Sequence, residues 1–540
     1  MPSQQDPRGP DAPAAPSVRD AVYALLRELG IDTVFGNPGS TELPMFREFP
    51  AGWRYVLGLQ ESVVVGMADG YAQVTRNAAL VNLHSAAGLG HAMGNVFTAF
   101  KNQTPLLVTA GQQARSMLPF DPYLHAAQAT ELPRPYVKWS CEPARAQDVP
   151  QALARAYYTA MQPPRGPVFV SIPADDWDRP AQFVPARRVG FALAPEPALL
   201  AELAQQLRQA QRPVIVAGSG VDRDGAMDWL VELAQRLDIP VHAAPMSARC
   251  VFPEDHRLFA GFLPAMRERI VSRLAGHDLV LVVGAPAFTY HVEGQGPCLP
   301  AGARLWQLVD DPQLAAWAPQ GSALVASIDL ALQALLALCE GPRRAPRDQR
   351  LRPARPPAAQ AMSTEYLLQA IDGWRAEDDV FVEEAPGARG LIQQCLPMRG
   401  AGSFYTMASG GLGWGLPAAV GVALGLRRRG SGARVVALLG DGSSMYSIQG
   451  LYSAAQWRLP ITFIVFNNRG YAALQDFAPV FGYPPGAVPQ GTQLPGLDFV
   501  RLARGQGVPA QRVDSPAQLP DALRQAREQP GPALLDVALD

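Results

Sequence analysis

Apolar positions along this chain follow two rhythms. Short apolar runs open the segments Pro213–Asp222 and Leu279–Phe288, and others occupy Arg434–Leu439 and Ile461–Phe466. Between them lie longer stretches with one apolar face at helical spacing. A solid run of five or six residues reads as a strand buried on both faces, the kind that parallel sheets use. The first helical stretch is the clearest. Ser17 and Asp20 form a capping-box pattern, Val22, Leu25, Leu26 and Leu29 line one face, and Gly30 stops it. A strand over Thr33–Phe35 then leads into the turn Gly36-Asn37-Pro38-Gly39-Ser40. Strand runs alternating with helical stretches predict an α/β fold of three doubly wound domains with mainly parallel sheets.

Pro- and Arg-rich segments separate the blocks, one from about Arg179 to Pro195 and another over Gly341–Gln360. They place domains at 17–180, 190–341 and 361–540, with a linker at 342–360 and a disordered tail at 1–16. A chain of 540 residues is long enough for three such units. There is no short-period internal repeat.

Composition narrows the function. Hydrophobic residues make up 48% of the chain and charged residues 17%, which excludes disorder throughout. A formal net charge of −2 argues against nucleic acid or a membrane as partner. The five cysteines are scattered and form no CxxC, so they read as reduced and structural, in a cytoplasmic protein. No apolar run has the length of a membrane span, and no signal peptide is visible.

The chemistry is concentrated in GDGSSMYSIQGLYSAAQWRLPITFIVFNN, Gly440–Asn468. One strand run ends in Asp441 and the next in Asn467-Asn468, with a helix expected between them at Ser447–Trp457. Parallel strands joined by one right-handed crossover lie close together, so carboxylate and carboxamide reach the same point beyond the sheet's carboxyl edge. Hard oxygen donors beside the glycine turn at Gly442 and Ser443 suit Mg²⁺ (or Ca²⁺) bridging a diphosphate. The whole spacing resembles the diphosphate and metal motif of thiamine-diphosphate (ThDP) enzymes. Glu61 belongs with it: it opens the apolar helix in GLQESVVVGMADGYAQ with no basic residue nearby in sequence. In such enzymes one carboxyl faces the cofactor's aminopyrimidine ring, and an apolar setting favours proton sharing there.

Seven further segments run in order along the chain: GNPGSTELPMF, LHSAAGLGHAMGN, TPLLVTAGQQAR, LPRPYVKWS, GPVFVSIPADDWD, VVGAPAFTYH and GGLGWGLPAAVGV. They resemble the benzoylformate decarboxylases, and the resemblance covers nearly the whole chain. It implies that Ser40 binds the substrate carboxylate, that His84 handles protons around the first adduct and product release, and that His291 protonates the enamine. Asp441 and Asn468 match side-chain metal ligands, with the Gly470 carbonyl as the third. The Gly410 carbonyl matches the acceptor of the cofactor's 4′-amino group, Leu412 the apolar wedge under its bend, and Tyr471 a further cofactor contact. Tyr123, Leu124, Thr406, Leu474 and Phe477 fall at substrate-pocket positions.

The implied activity is decarboxylation of an aryl 2-oxo acid, in a homodimer at minimum and by resemblance a homotetramer. The sequence also departs from the family pattern. Thr406 and Tyr123 replace an aromatic and a leucine, Ala385-Pro386-Gly387 replaces a Ser/Thr-rich turn, and His125 has no counterpart. A ThDP carboligase or lyase, or a decarboxylase of another 2-oxo acid, is the nearer alternative. A flavin-containing oxidase is the more distant one, because Gly218-Ser219-Gly220 lacks the third glycine of a dinucleotide fingerprint.

Overall fold

The computed structural model describes residues 15–339, 362–484 and 486–539. The expected linker at 342–360 and residues 1–14 of the expected tail lie outside the described residues. Three six-stranded sheets follow one another along the chain, and their strands pair in parallel. In the first sheet the spatial order is Arg54–Leu57, Thr33–Gly36, Ala79–Leu83, Leu106–Gln112, Val168–Pro173, Ser140–Cys141. The third runs Phe404–Thr406, Val380–Glu384, Val435–Gly440, Ile461–Asn467, Ala533–Ala538, Ala510–Val513. Numbered within each domain, both orders are 2-1-3-4-6-5. The middle sheet runs Ser322–Val325, Arg304–Val309, Leu279–Val283, Pro213–Ala217, Val241–Ala243, Phe259–Phe262. That is 6-5-4-1-2-3, the strand order of dinucleotide-binding folds.

The solid apolar runs are buried on both faces, as their pattern predicts. In the third sheet Val435, Ala437 and Leu439 enter one core cluster, while Val436 and Leu438 enter another. The first cluster is shared with the first domain and the second with the middle domain, so the central strands of the third sheet tie both neighbours together. Period-two alternation makes this possible, since successive side chains point to opposite faces.

A tight helix seam joins the first and third domains. Helices Glu61–Thr75 and Gly415–Arg428 cross where glycines let the backbones touch. A Cβ on Gly421 would overlap the Met67 carbonyl oxygen, and one on Gly70 would overlap that of Ala418. The buried Asp69 carboxylate accepts the Trp414 indole N–H at 2.7 Å and the Asn102 amide at 2.9 Å, pinning the seam from the side.

Helix ends follow local rules. The Ser17/Asp20 capping box is present at helix Val18–Glu28, and the Gln60 side chain caps helix Glu61–Thr75 by accepting from the N–H groups of Ser62 and Val63. One element differs from expectation. The helix expected at Ser447–Trp457 is shorter, Gly450–Gln456, and a separate helical turn, Asp441–Met445, precedes it. The helical turn starts directly at Asp441, where the Ser444 hydroxyl donates to the Gly440 carbonyl at 2.8 Å. All five cysteines are free, and among the described residues no helix is long and apolar enough to cross a membrane.

Candidate active site

The site residues gather in two groups, each at the carboxyl ends of one sheet. In the first domain the turn after strand Thr33–Gly36 meets the start of helix Ser85–Asn102. Gly39 is required there, because a Cβ would overlap the His84 ring. His84 Nδ1 lies 2.8 Å from Glu42 Oε2. Glu42 is almost fully buried, and it also accepts from Gly39 N at 2.8 Å, Gly111 N at 2.9 Å and the Thr41 hydroxyl at 2.7 Å. A carboxylate against Nδ1 assigns the proton of neutral His84 to Nδ1 and leaves Nε2 as the acceptor. The backbone beside it is held in an uncommon shape: Ser85 has φ +52° and donates its hydroxyl at 2.6 Å to the carbonyl of Leu124, itself at φ +66°.

Glu61 stands next to this pair. It is the first residue of its helix and only 9% exposed. A Cβ on Gly88 would lie 3.3 Å from Glu61 Cγ and 3.6 Å from His84 Cβ, so one helical turn touches both side chains. Asn37, in the same turn as Ser40, approaches Glu61 Oε1 at 3.5 Å, and His91 Nδ1 lies 3.2 Å from Oε2. Ser40 is exposed. The structure thus brings Ser40, Glu61 and His84 to one end of one sheet.

The second group lies in the third domain. Gly470 N donates to Asp441 Oδ2 at 3.0 Å and to Asn468 Oδ1 at 3.2 Å, so one amide holds both expected ligand side chains together. Of the asparagine pair, Asn467 is buried and spent on Asp536 at 2.8 Å, whereas Asn468 is exposed. Tyr471 packs so closely on Gly442 that a Cβ there would overlap its ring. Ser443 is buried at the next position. Burial, with the like charge of Asp536, raises the pKa of the Asp441 carboxyl although backbone N–H groups pull it down. Gly410 has φ +74° with open space around it, and Leu412 packs half-buried on the shared core. Glu384 shapes this wedge segment by accepting from Gly413 N at 2.6 Å, Trp414 N at 2.7 Å and Gly415 N.

A middle-domain residue completes the second group. The His291 ring lies 4.9 Å from that of Phe477, edge to face, and Phe477 in turn meets Phe481. Leu474 on the same helix is exposed. Together these side chains form an apolar shelf beside an imidazole.

Two pocket expectations need correction. Thr406 is completely buried and lines no pocket: its hydroxyl donates to Glu383 at 2.9 Å, its partner in the neighbouring strand, and meets Arg389. In-register partners share a face of the sheet, so Thr406 is committed to Glu383 on the side away from the wedge. Tyr123 is 87% exposed and encloses nothing within this chain. Leu124 contributes its backbone to Ser85, as above. His125 pairs with Asp121 at 2.9 Å. The replaced turn at Pro386–Ala388 is one turn of 3₁₀ helix, with Gly387 set against Ala472 and Ala473.

Glu42 and His91 are the residues that sequence reasoning missed. His91 follows His84 by seven residues, two helical turns on one face, and that spacing was a readable signal. Glu42 looks like an ordinary helix-start acid before Leu43-Pro44. Its partner comes from another strand–helix junction, so nothing local marks it.

Comparisons with known proteins agree with this geometry. The family "Thiamine pyrophosphate enzyme, N-terminal TPP binding domain" matches residues 16–132, the family's central domain matches 200–335, and its C-terminal TPP binding domain matches 387–537. The benzoylformate decarboxylase of Pseudomonas aeruginosa is 46% identical over 529 residues, 96% of this chain and 98% of that protein. The chain belongs to the thiamine-diphosphate enzymes, on their benzoylformate decarboxylase branch. Among solved structures, the Rhodococcus jostii 4-hydroxybenzoylformate decarboxylase superposes with a TM-score of 0.93 at 40% identity, covering 97% of this chain and 99% of that one. The benzoylformate decarboxylase of Polynucleobacter necessarius gives 0.90 at 41% identity, covering 97% and 98%.

The residues of this chain fit the cofactor. A buried carboxylate disfavoured by its own burial, a carboxamide with a free face and a glycine cradle make an oxygen-donor site for a divalent cation on a diphosphate.

Proposed function

We propose that this chain decarboxylates benzoylformate to benzaldehyde and CO₂. The observation that carries the reading is the apolar shelf of Leu474, Phe477 and Phe481 beside His291. It suits a flat aryl group next to a proton donor. The activities named for the similar proteins support it.

Each group of residues has a separate task. Asp441, Asn468 and the Gly470 carbonyl would hold the metal beside the diphosphate, and the Gly410 carbonyl and Leu412 would position the rest of the cofactor. When bound, thiamine diphosphate supplies the electron sink for the pair released as CO₂ departs. Glu61 would hold a proton at its carboxyl, facing the cofactor's pyrimidine ring. Ser40 offers an uncharged hydroxyl to the substrate carboxylate, which loses its charge during reaction, so a cation there would overbind the ground state. His84, held by Glu42 with Nε2 outward, accepts and returns a proton, and His291 delivers one on the apolar side.

The two groups complete one site when two chains meet, Glu61 of one facing Asp441 of the other. This reading is supported by exposed apolar side chains on both: Phe120 and Tyr123 on the first domain, Leu474 and Phe481 on the third. The working unit is a cytoplasmic homodimer at minimum, with a tetramer as its further assembly. Full turnover by a strictly monomeric species in a sizing experiment would overturn this arrangement.

A panel of 2-oxo acids, with CO₂ and aldehyde as readouts, tests the substrate. Burying a phenyl ring of about 100 Å² at roughly 25 cal/mol per Å² gives about 2–3 kcal/mol, or about 30- to 200-fold in kcat/KM over pyruvate. Phe477→Ala narrows that ratio. A kcat/KM for pyruvate equal to that for benzoylformate would sink the aryl assignment.

A further inference from the structure

We propose that an arginine-lined cavity between the first and middle domains binds a small oxyanion of the phosphate class. The cavity has a volume of about 20 Å³ and is lined by Arg76 and Arg165 of the first domain and Arg223 and Arg249 of the middle domain, with Gln73 and Gln103 among its walls. It exceeds the roughly 10–15 Å³ that one ordered water needs.

Four guanidinium groups converge there, and only two have carboxylate partners. Arg249 pairs with Asp222 at 2.6 Å and Arg223 with Asp310 at 3.4 Å. Arg76 donates to the Asp222 carbonyl at 3.0 Å, a neutral acceptor. Arg165 has no hydrogen-bond or ion-pair partner among the described residues. Burial pushes its pKa down, and Arg223 and Arg76 add repulsion against the pull of Asp224 and Asp310. Two further carboxyls stand by the cluster: Asp311 accepts from the cavity-wall Gln103 at 3.2 Å, and Asp224, whose pKa burial and Asp310 raise, already accepts from Ile328 N at 3.0 Å. Arg165, half-buried, and Arg76, exposed, thus have no carboxylate partner, and their unspent N–H donors suit an anion in both charge and donor geometry.

The occupant is small because the nucleotide crevice of this fold is filled. A Cβ on Gly218 would overlap Ala285, and one on Gly220 would come within 2.8 Å of Gly284 Cα and 2.7 Å of Ile328 Cδ1. The glycines of Gly218-Ser219-Gly220 serve that close packing, and Arg223 just beyond them turns to the cavity. The bound anion would also fix domain placement. Arg249 lies over the Tyr405 ring at 5.1 Å, and Asp222 accepts from Gly402 N at 2.9 Å, so the third domain is tied to the same cluster.

The test is calorimetric titration of inorganic phosphate into enzyme saturated with ThDP and Mg²⁺, so that the diphosphate subsite is already filled. Ionic strength is held with a bulky organic anion, and melting temperature is followed in parallel. The expected result is one saturable phosphate per chain with a matching rise in Tm. Losing one charge-assisted hydrogen bond predicts a roughly 10- to 100-fold weaker Kd in Arg165→Gln. Arg223→Gln weakens binding likewise, Arg165→Lys retains most of it, and Arg501→Gln, at an exposed distant site, retains all of it. A Tm rise without saturation, identical in all variants, or an unchanged Kd in both Arg165→Gln and Arg223→Gln, would overturn the assignment.

Discussion

The first and third domains share one strand order, 2-1-3-4-6-5, and face each other through equivalent helices. Their chemistry nevertheless diverges at equivalent places. The third strand of the first domain is followed by His84, and that of the third domain by Asp441. The second strand of the first domain leads to Glu61, and that of the third leads to the glycine-rich wedge at Gly410–Leu412. In the proposed function, one scaffold therefore presents proton-handling groups at one set of strand ends and oxygen ligands at the other. Topology supplies the positions, and the residue after each strand supplies the role.

The division of labour can be broken from either side. Glu61→Gln is expected to lower kcat by about 10²- to 10⁴-fold, the usual span for a lost acid–base group, while ThDP stays bound in equilibrium dialysis. Asp441→Ala should release the cofactor in the same assay, because the metal loses its only charged ligand. Near-normal turnover in Glu61→Gln would end the assignment.

A second cut tests whether His84 needs its support. Glu42→Gln removes the charged acceptor from Nδ1 and is expected to lower kcat by roughly 10- to 100-fold, the size of one charge-assisted hydrogen bond. Glu42→Asp, which keeps a carboxylate, should recover part of the loss. An equal fall in both variants would mean that Glu42 only supports the turn.

The seam itself comes next. Gly421→Ala places a methyl on the Met67 carbonyl, and overpacking of this kind costs about 1–3 kcal/mol, read as a lower urea midpoint. The same substitution at Gly373, which has open space, serves as the control.

The smallest expected effect concerns Glu384. Burial pushes its carboxyl up to about 8, outweighing three backbone N–H donors and helped by the charge of Glu383. A carboxyl with a pKa near 4.5 when unfolded and near 8 when folded binds a proton on folding throughout that window. Its contribution is therefore full below about 4.5 and is lost as pH rises towards 8. The stability difference between wild type and Glu384→Gln should shrink by about 1 kcal/mol or more between pH 5.5 and 8.5. A difference that grows with pH would show that the N–H donors win and the carboxylate is the native form.

Much of this was legible along the chain. Solid apolar runs marked the central strands at Pro213–Ala217, Leu279–Val283, Val435–Gly440 and Ile461–Asn467, because a strand covered on both faces leaves no polar positions. The helix expected at Ser447–Trp457 forms over Gly450–Gln456, but nothing local announces that a separate helical turn begins on Asp441 itself. Thr406 was misjudged for a related reason: a strand of three residues has too little pattern to show which face is which.

By itself, then, the sequence determined the α/β class, the Asp441/Asn468 spacing and the acidic start of the Glu61 helix, all of which depend on neighbours within one or two elements. Only the tertiary structure decided the rest. It paired Glu42 with His84, brought Phe477 to His291, converged four arginines on one cavity and revealed that the first and third domains share a topology. Those contacts join residues from separate strand ends or separate domains. Sheet order and helix crossing set them, and neither leaves a period in the chain.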